Sequence, residues 1–166
     1  MPEVDQAVAQ NDAFTTDELT SFGGDLFADN GSGADSDSNG DPLSIAAVNG
    51  EAANVGSQIM TSSGALLTVN ADGTFSYDPN GSFQYTPTFD SGATNTPSFD
   101  TFSYTLTGGG TATVFIEIDG VDNDDTIFGN DDVNVLTGGA GNDLMFGLDG
   151  DDLLRGRVGD DYIDGG

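Results

Sequence analysis

The sequence predicts an all-β chain, an antiparallel β-sandwich followed by a short parallel β-roll. Three observations carry that prediction. Apolar and polar residues alternate in short runs between about residues 11 and 119. Gly, Asn and Asp turns separate those runs. From Gly120 onward glycine returns every ninth residue, at 120, 129, 138, 147, 156 and 165. No segment has the 3.6-residue periodicity of a helix.

Residues 1–10 show no pattern and are expected to be a linker or the end of a preceding unit. The sandwich is expected over 11–119. Leu43, Ile45 and Ala47 alternate with polar partners. Leu67 and Val69 lead into the turn signal Ala71-Asp72-Gly73, and Phe75 and Tyr77 follow it. Phe102, Tyr104 and Leu106 alternate up to the break at Gly108-Gly109-Gly110, and Val114, Ile116 and Ile118 continue beyond it. Period-two runs joined by such turns describe antiparallel hairpins, and about seven short strands at this spacing favour a sandwich. Phe75, Tyr77, Phe102 and Tyr104 are expected in its core.

The roll is expected over 120–166, ending at the start of a sixth repeat. With each glycine counted as position one, position eight is Ile127, Leu136, Met145, Leu154 and Ile163, all apolar. Position six is Asp125, Asn134, Asp143, Asp152 and Asp161. The position-eight side chains should point inward from a short strand. Positions one to six should form a turn, with glycine supplying positive φ and a close backbone approach. Two repeats then make one coil, and alternate repeats stack on the same edge. Asp125, Asp143 and Asp161 would line one edge, and Asn134 and Asp152 the other.

Composition narrows the chemistry. The chain carries 29 acidic residues against two basic ones and has no His or Cys, for a net charge of −27. Such a surface disfavours nucleic acid and anionic membrane. Without His or Cys there is no Ser-His-Asp triad, Cys-His pair or thiolate metal site. Oxygen ligands are abundant, and they suit hard cations such as calcium. Strands one coil apart lie ~4.8 Å from each other, and calcium–oxygen bonds are ~2.3–2.6 Å long. A Ca2+ ion therefore fits between stacked position-six carboxylates, with turn carbonyls completing its shell. Without a cation those carboxylates repel, so folding of the roll should be coupled to calcium binding. Asn134 supplies no charge and should make a weaker site.

Asp35-Ser36-Asp37-Ser38-Asn39-Gly40-Asp41 also has the alternating oxygens of a calcium loop. The acid of an EF-hand would fall at Ala46, so this is not an EF-hand, and a plain Asx-rich turn is the other reading.

The nonapeptide resembles the calcium-binding repeat of RTX proteins. Asn11-Asp12-Ala13-Phe14, Gly40-Asp41-Pro42-Leu43, Val48-Asn49-Gly50, Asp72-Gly73-Thr74-Phe75-Ser76-Tyr77 and Asp100-Thr101-Phe102-Ser103-Tyr104-Thr105 occur in order. This succession resembles the bacterial cadherin-like, VCBS-type tandem domains of large secreted adhesins. That resemblance implies an immunoglobulin-like sandwich with calcium near strand ends. It makes Asp35, Asp37, Asn39, Asp41 and Asp100 candidate ligands, with Asp12 and Glu18 as further candidates. The inserted Gly31-Ser32-Gly33-Ala34 and the Gly108-Gly109-Gly110 turn depart from the usual pattern.

The expected function is calcium binding by a non-enzymatic module of a secreted or cell-surface RTX-type protein. The alternative is a fragment of a type I-secreted RTX hydrolase whose catalytic domain lies outside this chain. Two carboxylates could in principle hydrolyse a glycoside, but here the aspartates are placed by repeat geometry. Calcium ions are the expected partners, with neighbouring repeats or a cell-surface glycan as further ones. Nucleic acid and membrane insertion are not expected. Met1-Pro2-Glu3-Val4-Asp5 has no basic or apolar leader character, so the resemblance implies type I export.

Overall fold

The structure is a computed structural model and describes residues 6–166. It falls into two compact units, one of residues up to 16, 20–80 and 99–117, the other of 17–19, 81–98 and 118–166.

The first unit is an immunoglobulin-like sandwich. Its strands are β1 (Ala7–Val8), β2 (Asp12–Asp17), β3 (Phe22–Asp25), β4 (Ser36–Asp37), β5 (Ile45–Val48), β6 (Gln58–Met60), β7 (Leu66–Val69), β8 (Thr74–Asp78), β9 (Ser98–Leu106) and β10 (Thr111–Asp119). One sheet has the order β2-β10-β9-β5 and the other β3-β8-β7-β6, while β1 pairs with β4. Alternation does what the pattern predicts. Leu67, Val69, Phe75, Tyr77, Phe102, Tyr104, Leu106, Val114 and Ile116 are all buried. Rings meet across the two sheets: the Phe75 centroid lies 6.0 Å from that of Phe102 and 5.0 Å from that of Phe14.

Two expectations change here. Leu43, Ile45 and Ala47 do not form one inward series. The register against β9 shifts between Ile45 and Ala47, so Ile45 and Val48 are the buried pair. A bulge inserts one residue and moves every later side chain to the other face. The linker expected over 1–10 does not hold for Ala7 and Val8. Residues 1–5 lie outside the described residues, but Ala7 and Val8 already pair with Asp37 and Ser36, and Ala7 is buried.

The second unit holds the parallel roll. Its strands are β11 (Thr126–Phe128), β12 (Val135–Ala140), β13 (Leu144–Phe146), β14 (Leu153–Val158) and β15 (Tyr162–Asp164). They form two parallel sheets, β11-β13-β15 and β12-β14. Ile127 faces Met145, Met145 faces Ile163, and Leu136 faces Leu154. Each partner is two repeats along, as the two-repeat coil requires. Ile127, Leu136 and Met145 form the buried core, with Ala93 and the partly buried Leu154 against it. Ile163 does not follow them inside. It is 48% exposed, on β15 at the edge of the sheet β11-β13-β15.

Residues 81–98 cover the head of the roll, although the alternation had assigned them to the sandwich. The Thr94 amide donates to the Phe128 carbonyl at 2.8 Å. Asn95 donates from Nδ2 to the Thr126 carbonyl at 2.7 Å and accepts the Phe128 amide at 3.1 Å. These bonds satisfy the free edge of β11, which would otherwise be open to pairing with another strand.

Candidate calcium site

The nonapeptide turns show what each glycine does. A Cβ at position one would meet the position-six oxygen of its own repeat, 2.1 Å from Asp143 Oδ2 for Gly138 and 2.4 Å from Asp152 Oδ2 for Gly147. Position one is therefore glycine because the position-six side chain lies on its Cα. Positive φ belongs to positions two and four: Gly139 is at φ 116, Gly141 at φ 112, Gly150 at φ 134 and Gly159 at φ 139. The positive φ expected for the turn is present, but not at the glycine that marks the period.

Position six forms a ladder between coils. Asp143 Oδ1 accepts the Asp125 amide at 2.9 Å, and Asp161 Oδ1 accepts the Asp143 amide at 3.1 Å. On the opposite edge Asp152 Oδ1 accepts the Asn134 amide at 2.9 Å. Each bond fixes one carboxylate oxygen and aims the other. Those others, Asp143 Oδ2 and Asp152 Oδ2, are buried without a hydrogen-bond partner, as are both oxygens of Asp125. Buried polar oxygens ordinarily find donors, so this set fits a bound hard cation. Burial, then the charge of Asp143 and other acids, pushes the Asp125 carboxyl up to about 7. Burial also raises Asp143.

Asn134 differs. Its Oδ1 accepts the Asn130 amide at 2.7 Å and its Nδ2 donates to Asn130 Oδ1 at 3.0 Å. Its side chain is occupied within its own turn. Among the described residues no three acidic side chains form one metal-holding group.

Sequence reasoning missed a second ladder. Asp124 Oδ1 accepts the Asn142 amide at 2.7 Å, and Asn142 Oδ1 accepts the Asp160 amide at 2.9 Å. Asp122 Oδ1 similarly accepts the Ala140 amide at 2.7 Å. The signal was available as an 18-residue recurrence of acceptors at position five, hidden by reading the repeat at nine.

The sandwich candidates lie in separate networks. Asp37 Oδ1 accepts the Asn39 and Asp41 amides at 2.8 and 3.1 Å, the geometry of an Asx turn. Asp35 accepts the Gln10 amide and the Tyr104 hydroxyl, each at 2.7 Å. Asp100 accepts the hydroxyls of Thr61, Ser63 and Tyr77 and the Thr101 amide. In this unit the buried unpartnered carboxylate oxygen is Asp12 Oδ2. Burial raises the Asp12 carboxyl to about 6; its Oδ1 accepts Asn30 Nδ2 at 2.9 Å.

Sandwich and carboxylate-edged roll together define a calcium-binding all-β protein. Residues 4–119 match the bacterial Ig domain family model, and the chain belongs to that family. Residues 119–154 and 137–166 match the RTX calcium-binding nonapeptide repeat, so calcium is the cofactor of the roll. No curated protein matches the chain.

Proposed function

We propose that the chain is a non-enzymatic module of a secreted or cell-surface RTX-type protein, with an adhesive or structural role, in which calcium rigidifies the roll. Asp125, Asp143 and Asp161 serve one edge and Asp152 the other, with Asn134 contributing least. The observation that carries this reading is the row of buried, unpartnered position-six oxygens. A protein with 29 acids and two bases has few cationic groups of its own to neutralise them, and a divalent ion does so directly. The sequence resemblance to cadherin-like, VCBS-type adhesin domains and to type I-secreted proteins supports the extracellular assignment. The position-six acids are placed by repeat geometry, and the sequence has no His or Cys to serve as a base or nucleophile, which supports a non-enzymatic reading.

Calcium titration of the full chain, followed by circular dichroism and calorimetry, tests the reading. Cooperative gain of β signal with calcium, and a poor response to magnesium, is expected, because magnesium demands a tighter octahedron. A spectrum indifferent to calcium, or an equal response to magnesium, would overturn it.

Asp35, Asp37, Asn39, Asp41 and Asp100 remain candidates of a different kind. Their oxygens already organise protein donors, so calcium there would stiffen an existing fold. Asp37→Ala should lower calcium stoichiometry if the loop holds an ion, and leave it unchanged if the loop is only a turn.

A further inference from the structure

Glu18 is a buried acid that the repeats do not explain. It is 1% exposed and lies outside the nonapeptides, yet it belongs to the same compact unit as the roll. Its Oε2 accepts the Thr86 amide at 3.3 Å, and its Oε1 accepts Asn123 Nδ2. Asn123 thereby turns its own Oδ1 into the interior, where it has no partner. Asp125 sits beside this group, 1% exposed, with both carboxylate oxygens unpartnered. Asp143 and Asp161 each spend one oxygen on the amide of the preceding coil. Asp125 belongs to the first coil, so no preceding amide reaches it.

Asn123, bonded to Glu18, is two residues from Asp125 in the chain, and the Glu18 charge acts on Asp125, so two buried carboxylates and an unpartnered amide oxygen belong to one neighbourhood. Such a group is costly unless a cation neutralises it. The chain's two basic residues, Arg155 and Arg157, lie in β14, which pairs with β12. A cavity of about 310 Å³ lined by Leu19, Gln84, Tyr85, Asn123 and Asp124 adjoins this group at Asn123.

We propose that Glu18, Asn123 and Asp125 hold a divalent cation at the head of the roll, a site separate from those between stacked coils. An all-oxygen donor set of two carboxylates and one amide selects calcium over softer metals. The proposal rests on calcium binding by the repeats and adds a ligand from outside them. Its effect is to make completion of the first coil depend on residues 17–19, which precede the roll by about a hundred residues.

The test uses the full chain and compares Glu18→Gln, Asn123→Asp and Asp152→Asn with wild type. Calcium stoichiometry is read by calorimetry, and melting is followed in chelator and in saturating calcium. Glu18→Gln keeps the shape and one of the two acceptor oxygens, its NH2 pairing with Asn123 Oδ1 once that amide turns over, and it removes a charge. It should bind one calcium fewer, or bind it at least about tenfold more weakly. It should melt lower than wild type in calcium and no lower in chelator. Asn123→Asp should melt lower in chelator and recover fully in calcium, since a third carboxylate is tolerated only around a cation. Should Glu18→Gln fail to fold, Asn123→Asp decides the matter. A Glu18→Gln variant with both stoichiometry and affinity unchanged, or an Asn123→Asp penalty equal in both conditions, would overturn the head site. Asp152→Asn separates the two readings: it should lose calcium at the opposite edge whatever happens at Glu18, and calcium-indifference in both wild type and this variant would sink the repeat sites as well.

Discussion

Asp143 lets charge and hydrogen bonding be separated in a single residue. It is fully buried; Oδ1 holds the Asp125 amide at 2.9 Å, and Oδ2 has no partner. Asp143→Asn keeps the acceptor and removes the charge, whereas Asp143→Ala removes both. A hydrogen bond to a charged acceptor is worth ~1.5–3 kcal/mol. Two carboxylates one coil apart, ~4.8 Å, repel by roughly 3 kcal/mol at an effective dielectric of 20 before screening. In chelator, Asp143→Asn should therefore stabilise the roll by up to about 3 kcal/mol. In calcium the order reverses and it should destabilise, because a ligand has lost its charge. Asp143→Ala should lie below Asp143→Asn in both conditions by about 1–3 kcal/mol, since only Ala leaves the buried Asp125 amide unsatisfied. Amide exchange read on peptides covering 126–164 of the full chain localises the effect to the roll. If Asp143→Asn weakened protection as much in chelator as in calcium, the carboxylate would be stabilising the metal-free fold and the stacking argument would fail. Asp125→Ala gives the comparison: it spares the ladder bond, so it should cost less than Asp143→Ala.

Other substitutions probe the remaining parts. Gly138→Ala places a Cβ 2.1 Å from Asp143 Oδ2 and 2.6 Å from the Gly156 carbonyl; overpacking of this kind costs ~1–3 kcal/mol, and a calcium midpoint unmoved by it would contradict the assigned role of position one. Asn134→Asp should strengthen calcium response at its edge and weaken the metal-free state, because it loses the bond from Nδ2 to Asn130; calorimetry showing no tighter site would refute this. Tyr104→Phe removes the hydroxyl that Asp35 accepts at 2.7 Å and should cost the sandwich ~1.5–3 kcal/mol in a thermal melt. In chelator the sandwich should also melt higher near pH 5 than near pH 8. The Asp12 carboxyl is raised from 3.8 to about 6 in the fold, so its contribution is fully present below the unfolded value and is lost as pH rises through the folded one. A rising melting temperature over that interval would refute the assignment.

Much of the fold was legible because strand burial has a period of two and the roll a period of nine. Phe75, Tyr77, Phe102 and Tyr104 went inside as their alternation required. Val48, buried in place of the expected Ala47, escaped that reading because a bulge after Ile45 changes the face of a side chain without changing composition. Residues 81–98 escaped it because their attachment is made by Asn95 and Thr94 to main-chain atoms of β11, and such bonds leave no periodic trace. Position-six acids were visible as a column. Glu18 was not part of any column and entered only as a further candidate through the resemblance; its bond to Asn123 was not legible, because a contact across about a hundred residues leaves no local pattern.

The two ladders in the roll run in opposite senses. At position six a later coil's side chain takes an amide from the earlier one, as Asp143 does from Asp125. At position five the earlier side chain takes an amide from the later coil, as Asp124 does from Asn142. The position-five column differs between edges: Asp124, Asn142 and Asp160 on one, Val133 and Asp151 on the other. A coil displaced by a single repeat would set Val133 where an acceptor is needed and strand an amide. Nearly identical repeats thus carry a parity code, and miscounting by one is penalised locally, at the first wrong seam, before the rest of the stack can form.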